Sequence, residues 1–284
     1  MFGWIAGIYG ALLSVMNTMN GRLAAAYGNW GATVLIHILG LACVLPFAFT
    51  WGRRREKAPW YLYGGGLIGV VTVMFVNAAI GVLGVTMNLV LMLLGQVVSS
   101  AVLDHFGWLG VPLHRMNRMK GLAILVIAAG CFLMVVWSGN EGAAPGGSLW
   151  AVAVSLASGV TMVLARLSNA RLGQRAGVGY STVMNYVTGL AGSLVLFALV
   201  ANFRLTAPLP APGVPWWVYF GGPLGMVGII LINLATPKLP SVQLSVIIFL
   251  GQITSGMVID FFSGLFSPGM LVGSLLVGLG LYLN

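Results

Sequence analysis

What this sequence lacks most is charge. Of its 284 residues only 6% are Asp, Glu, Lys or Arg, and just four are acidic. A soluble domain carries about a quarter charged residues. A chain this poor in charge, 59% hydrophobic and with a mean hydropathy of +1.01, has too little polar surface to cover itself in water. A cytoplasmic enzyme, a secreted disulfide scaffold and a disordered chain are therefore excluded. The two cysteines, Cys43 and Cys131, sit in apolar stretches with no pairing motif or metal-ligand spacing and read as small membrane hydrophobes. No basic segment precedes the first apolar stretch, so helix one is expected to be retained rather than cleaved as a signal. Period-two alternation is also missing, which excludes a porin-type barrel. What remains is an all-α integral membrane protein, because in hydrocarbon a helix satisfies its own backbone hydrogen bonds.

Stretches of about 20 apolar residues bounded by charge, Gly or Pro predict ten spans. They cover roughly residues 3–22, 30–51, 59–82, 85–106, 118–138, 148–170, 178–202, 214–235, 240–262 and 267–284. The connection 138–148 (SGNEGAAPGGS) is rich in Gly and reads as a flexible link. With ten spans the loops alternate sides, and the basic residues then segregate. Arg53, Arg54, Arg55, Lys57, Arg115, Arg118, Lys120, Arg166, Arg171, Arg175 and Lys238 share a face with the N-terminus, whereas Arg22 and Arg204 lie on the other. By the positive-inside rule both termini face the cytoplasm. The net charge of +9 is thus a topology signal, and no nucleic-acid partner is expected. The nine tryptophans fall near span ends, as an interfacial belt does.

The chain repeats itself. Pro59-Trp60, Tyr63, Gly65, Gly66, Gly69 and Asn77 recur as Pro215-Trp216, Tyr219, Gly221, Gly222, Gly225 and Asn233, always 156 positions on. The same offset carries Leu94-Gly95-Gln96, Ser99, Asp104 and Phe106 onto Leu250-Gly251-Gln252, Ser255, Asp260 and Phe262. At an offset of 149, Asn20, Arg22, Leu23 and Gly40 fall on Asn169, Arg171, Leu172 and Gly189. Chance apolar similarity does not reproduce Asn, Gln and Asp in register. The expected organisation is two five-helix repeats, residues 1–140 and 141–284, and an odd number of spans per unit makes the second inverted relative to the first. Inverted repeats are the architecture of alternating-access transporters.

The Asn17-Thr-Met-Asn20-Gly-Arg22-Leu segment, the twice-used Leu-Gly-Gln-x-x-Ser-x-x-x-x-Asp-x-Phe signature and ten spans in two halves resemble the YdcZ-like branch of the drug/metabolite transporter superfamily. The resemblance implies an inner-membrane transporter of five-plus-five inverted-repeat fold, with export as the expected direction. It gives no substrate.

Candidate binding residues follow from depth. Gln96 and Gln252 each lie about twelve residues into a span, near the midplane. A buried amide without partners costs about 1–3 kcal/mol, so these glutamines either bond neighbouring helices or line a substrate path. Asn77 and Asn233, Asn17, Asn20 and Asn169, and Asn88 and Asn185 add amides of the same kind, and Asn77, Gln96, Asn233 and Gln252 are expected to line one cavity. His37 is deep in the second span and aligns with Tyr186; it is either a structural imidazole or a proton relay confined to one half. Asp104 and Asp260 are the only acids within spans, near helix ends, and serve as caps, arginine partners or coupling groups. Arg22 and Arg171 close the first span of each half, snorkelling to headgroups or gating. The spacings Gly3-x-x-x-Gly7, Gly65-x-x-x-Gly69 and Gly221-x-x-x-Gly225 are expected packing faces. The four-span cousins carry a membrane Glu in helix one; here no acid precedes Glu56, which argues against lipophilic cations as cargo.

Three functions fit. The first is a secondary transporter, an exporter of a small polar or amphipathic metabolite; the others are a flippase for lipids or lipid-linked precursors, and a non-transporting assembly subunit. No nucleophile–base set, metal-ligand cluster or phosphate loop occurs, so neither enzymatic activity nor a cofactor or metal is expected. The expected partners are a small-molecule substrate and the bilayer, and two repeats in one chain permit a monomer.

Overall fold

The computed structural model describes residues 2–48, 57–137, 149–263 and 268–283. The 138–148 connection, Arg53, Arg54 and Arg55, and the side chains of Trp51, Asn77, Trp137 and Asp260 lie outside the described residues. Among the described residues there is no strand. Eight α-helices follow in order: α1 (Phe2–Ala48), α2 (Gly65–Phe106), α3 (Arg118–Trp137), α4 (Leu149–Ala176), α5 (Val178–Ala201), α6 (Gly221–Ala235), α7 (Ser241–Ser263) and α8 (Pro268–Leu283). Six segments are long and apolar enough to cross a membrane, and two shorter apolar helices accompany them.

Two of these helices each take in two of the expected spans. α1 has 47 residues, and its one non-helical position is Gly28, with φ 75° and ψ 158°. That backbone region is costly for any residue with a Cβ, so a glycine breaks the helix there. Gly177, 149 positions on with φ 105°, separates α4 from α5 in the same way. α2 is helical throughout its 42 residues, yet its packing requires a reversal. Thr72 Oγ1 donates to Thr161 Oγ1 of α4 at 2.8 Å, while a methyl on Gly159 would lie 2.6 Å from the Gln96 amide nitrogen. A straight helix would hold residues 72 and 96 about 36 Å apart. Both meet the same turn of α4, so α2 is not straight between Thr72 and Gln96, the interval that contains the expected boundary of spans three and four.

The chain forms two compact units, and neither is a sequence half. One comprises Met1–Ala11, Val71–Leu164 and Ala235–Asn284; the other comprises Leu12–Val70 and Ala165–Leu234. In the first unit Leu93, Val97, Ile127, Met134, Val246 and Phe249 form a buried core, and Ala79, Leu83 and Ala151 a smaller one. In the second, Leu23, Tyr27, Ala32, Ala211 and Val218 cluster, as do Val44, Val183 and Tyr186.

Glycine sets the helix spacing in the first unit. A Cβ on Gly95 would collide with the Leu156 carbonyl, and one on Gly251 with the Gly7 carbonyl. A Cβ on Gly159 would strike the Met92 carbonyl, and one on Gly10 the Ile248 carbonyl. These contacts correspond pair by pair at the repeat offsets, so each crossing occurs twice. Gly130 and Gly273 join α3 to α8, each facing the other's carbonyl oxygen at 2.7–2.8 Å from a would-be Cβ. The expected packing faces are only partly these: Gly3 and Gly7 meet Ile247 at ordinary distances of 3.8 and 3.9 Å, and Gly69 has nothing within 4 Å. Of the same set, Gly7 supplies the carbonyl that Gly251 meets, a Cβ on Gly65 or Gly221 would collide with Asn169 or Asn20, and one on Gly225 would lie 2.9 Å from the Tyr186 hydroxyl, so these positions do pack closely.

Gly251→Val should therefore destabilise the protein strongly, by about 1–3 kcal/mol, whereas Gly69→Ala should leave it unchanged. Thermal melting of the two variants in detergent, against the parent, measures the difference.

Candidate functional site

In the first unit the signature motif explains itself. Gly95 and Gly251 permit the backbone crossings, and the next residue in each case is the glutamine. Gln96 is 4% exposed and Gln252 8%, so both amides are held beside a crossing that admits no larger neighbour. Gln96 Oε1 is buried with no hydrogen-bond partner. Asn88 is fully buried; its Oδ1 accepts from Ser155 Oγ at 2.7 Å, and its Nδ2 has no partner. Ser100 and Ser245 pair at 3.1 Å.

Asp104 ends the motif. Its Oδ1 accepts from the Ser241 amide at 3.1 Å and its Oδ2 from the Val242 amide at 3.2 Å. The carboxylate thus binds free N–H groups at the start of α7, where the helix dipole favours a negative charge. Of the readings the sequence allowed for Asp104, this contact is the cap. Ser241 carried no sequence signal of its own, because the contact joins residues 137 positions apart.

In the second unit the amides meet glycines. Asn169 Oδ1 packs onto Gly65 and Asn20 Oδ1 onto Gly221, in each case where a Cβ would collide. The Asn185 carbonyl abuts Gly66, and the Ile36 carbonyl abuts Gly222. Each contact again has its repeat mate. Hydrogen bonding, however, breaks the symmetry. Asn169 Nδ2 donates to Asn185 Oδ1 at 2.7 Å. The position matching Asn185 in the first half is Ile36, which has nothing to offer, and Asn20 Oδ1 is left buried without a partner.

His37 and Tyr186, aligned in the sequence, touch in space with ring centroids 5.9 Å apart at 70°. His37 Nδ1 donates to the Thr33 carbonyl at 2.7 Å. Tyr186 donates from its hydroxyl to the Gly222 carbonyl at 2.8 Å. Gly40 lies against the Tyr186 ring and Gly189 against the His37 ring, again as mates. Asn233 is 2% exposed, and neither of its amide atoms has a partner.

The remaining candidates lie elsewhere. Asn17 is exposed. Arg22 stacks over Trp217, 4.9 Å from the ring centre, and Arg171 donates to Gln174 Oε1 at 2.8 Å. Sequence reasoning missed Tyr27, which is 1% exposed, shares a hydrogen bond with Tyr219 and accepts from the Ala211 amide at 2.7 Å. Among the described residues no His, Cys, Asp and Glu group could hold a metal.

Asn169→Ala should cost about 1–2 kcal/mol, since it removes a side-chain bond and strands the Asn185 Oδ1. Asn20→Ala loses no hydrogen bond from Oδ1 and should cost less. Equal losses in paired melting experiments would show that the two halves are not bonded differently.

Comparison with known proteins places the chain. A family model described as "Putative inner membrane exporter, YdcZ" matches residues 1–133 and 150–283. No curated protein matches. A solved structure, described only as the crystal structure of a protein, covers 99% of this chain and 94% of its own at 17% identity, with a TM-score of 0.69; at that identity the likeness is one of fold. With nearly its whole length matched in two segments, the chain belongs to the YdcZ family of the drug/metabolite transporter superfamily, in its two-repeat form, and is a multi-pass inner-membrane protein.

Proposed function

We propose that this chain is a secondary transporter, and not an enzyme, that exports a small polar or amphipathic metabolite by alternating access. Ten spans form two inverted five-helix repeats, with both termini in the cytoplasm. The observation that carries the reading is the reciprocity of contacts. Aligned residues of the two halves oppose one another, as His37 does Tyr186, and Gly65–Asn169 is answered by Gly221–Asn20. A duplicated unit that packs against its own copy in this way can exchange roles with that copy, the exchange that opens a site first to one side and then to the other.

The substrate is held by amides. Gln96 and Gln252 are both buried, and the unpartnered Oε1 of Gln96 offers an acceptor that a ligand N–H or O–H would complete. With no carboxylate expected at mid-depth, a permanent cation would be desolvated against amides alone. The cargo is therefore neutral, zwitterionic or anionic. Any proton dependence belongs to Asp104, Asp260 or His37, the titratable groups nearest the path.

A thermal-shift screen of the purified protein against metabolites identifies the cargo, since a ligand of the folded state raises its melting temperature; uptake in proteoliposomes then tests transport. Gln96→Glu should lower transport of an anionic cargo roughly tenfold while tolerating a cation. Proton-coupled export of quaternary ammonium compounds by the unaltered protein would overturn this assignment of charge selectivity. Orientation is tested by single cysteines in a background lacking Cys43 and Cys131. A membrane-impermeant reagent applied from the periplasm should label position 204 and spare positions 57 and 115; the opposite pattern would reverse the topology.

A further inference from the structure

The second unit has a pair of tyrosines at each of two distant places along α5. Tyr27, the last residue before the break at Gly28, shares a hydroxyl–hydroxyl hydrogen bond with Tyr219, their ring centroids 6.3 Å apart. Tyr180, three residues beyond the break at Gly177, meets the ring of Tyr63 edge-on, with centroids 6.3 Å apart at 89°. A Cβ on Gly31 would lie 3.7 Å from both Tyr27 and Phe197, so the first pair is level with Phe197. Tyr180 lies seventeen residues before Phe197 on α5, roughly 25 Å away, which is most of the thickness of a hydrocarbon core. Between the two levels lie the His37 and Tyr186 rings and the amide of Asn185. Trp60 and Trp216, each three residues before its tyrosine, are 86% and 75% exposed, as side chains at a membrane–water interface are.

Duplication accounts for half of this arrangement. Tyr63 and Tyr219 are repeat mates, 156 positions apart, but their partners are not. At the offset of 149 Tyr27 falls on Ala176, and Tyr180 answers to Gly31. Copying one half therefore could not have produced the second pair. The same contact is built twice from inequivalent positions, each time beside a glycine of positive φ that joins two spans. Residues at the ends of elements are where a chain absorbs the dihedral change of a hinge. The first pair is also strapped down. Thr206 Oγ1 donates to the Ala26 carbonyl at 2.6 Å, the Ala211 amide donates to the Tyr27 hydroxyl at 2.7 Å, and Leu205 leaves Gly31 no room for a side chain.

We propose that Tyr27–Tyr219 and Tyr63–Tyr180 are the two closures of the transport path, each breaking when its own end opens, with Gly28 and Gly177 as the pivots. The assignment rests on the alternating-access reading, because a path that opens at one end at a time needs a separable closure at each.

The test uses the full chain without Cys43 and Cys131, with His37→Cys as a reporter between the pairs and Tyr219→Leu or Tyr63→Leu added singly. A membrane-impermeant maleimide is applied to right-side-out and to inside-out vesicles. Tyr219→Leu should speed labelling roughly fivefold, the change one net hydrogen bond makes to an equilibrium, and from one side only, the periplasmic one in the proposed topology. Tyr63→Leu should speed it from the opposite side only. Should a leucine variant not fold, phenylalanine at the same position removes the hydroxyl alone and should give the same one-sided change, smaller in size. Unchanged rates, or an equal rise from both sides, would overturn the proposal. Uptake into proteoliposomes keeps the two claims apart. Transport by the parent protein without one-sided labelling in the variants refutes the closures alone, whereas one-sided labelling without uptake counts against transport and not against the closures.

Discussion

Within hydrocarbon, two apolar helices gain little by exchanging lipid for each other, since their surroundings are equally apolar either way. Cohesion must come from contact density and from polar bonds, and both require backbones to come close. The paired glycines supply that closeness. Gly10, Gly95, Gly159 and Gly251 each face a carbonyl that leaves no room for a side chain, and the buried core of Leu93, Val97, Val246 and Phe249 belongs to the helices they bring together. Gln96 and Gln252 owe their burial to the same crossings, because each follows the glycine that makes one.

Duplication placed every such contact twice, and the departures from it carry information. The first half reads Ile36-His37 where the second reads Asn185-Tyr186. The exchange at one position removes the partner of Asn20; the exchange at the next sets an imidazole against a phenol. Two neighbouring substitutions thus make the matched sites chemically unequal while their backbone geometry stays alike. Thr33 and Thr182 mark what was kept, each donating to the carbonyl four residues earlier, Asn29 at 2.6 Å and Val178 at 2.8 Å.

The few charges are anchored locally. Asp104 binds a helix start, Arg22 lies over Trp217 and Lys238 over Phe2 at 5.9 Å. Several amide atoms, by contrast, are buried and unbonded: Gln96 Oε1, Asn88 Nδ2, Asn20 Oδ1 and both of Asn233. Each costs about 1–3 kcal/mol, a burden that selection for stability alone would remove.

Composition and periodicity determined that this chain enters the membrane as helices, because twenty apolar residues have no other way to satisfy a backbone there. Recurrence of Asn, Gln and Asp at fixed offsets determined that it is a duplication, and the signature at 94–106 pointed to the family. The boundaries near 28 and 84 were legible as glycines between apolar stretches, and Gly28 is where α1 departs from helical geometry. Only the tertiary structure decided partners. Nothing in the Leu-Gly-Gln motif says that its glycine meets Leu156 in one copy and Gly7 in the other, that Asp104 holds the start of α7, or that Asn169 is bonded while Asn20 is not. Sequence records which groups a helix presents, since that follows from its own periodicity. Which helix stands opposite depends on how segments far apart in the chain cross, and that is why each compact unit draws on both halves.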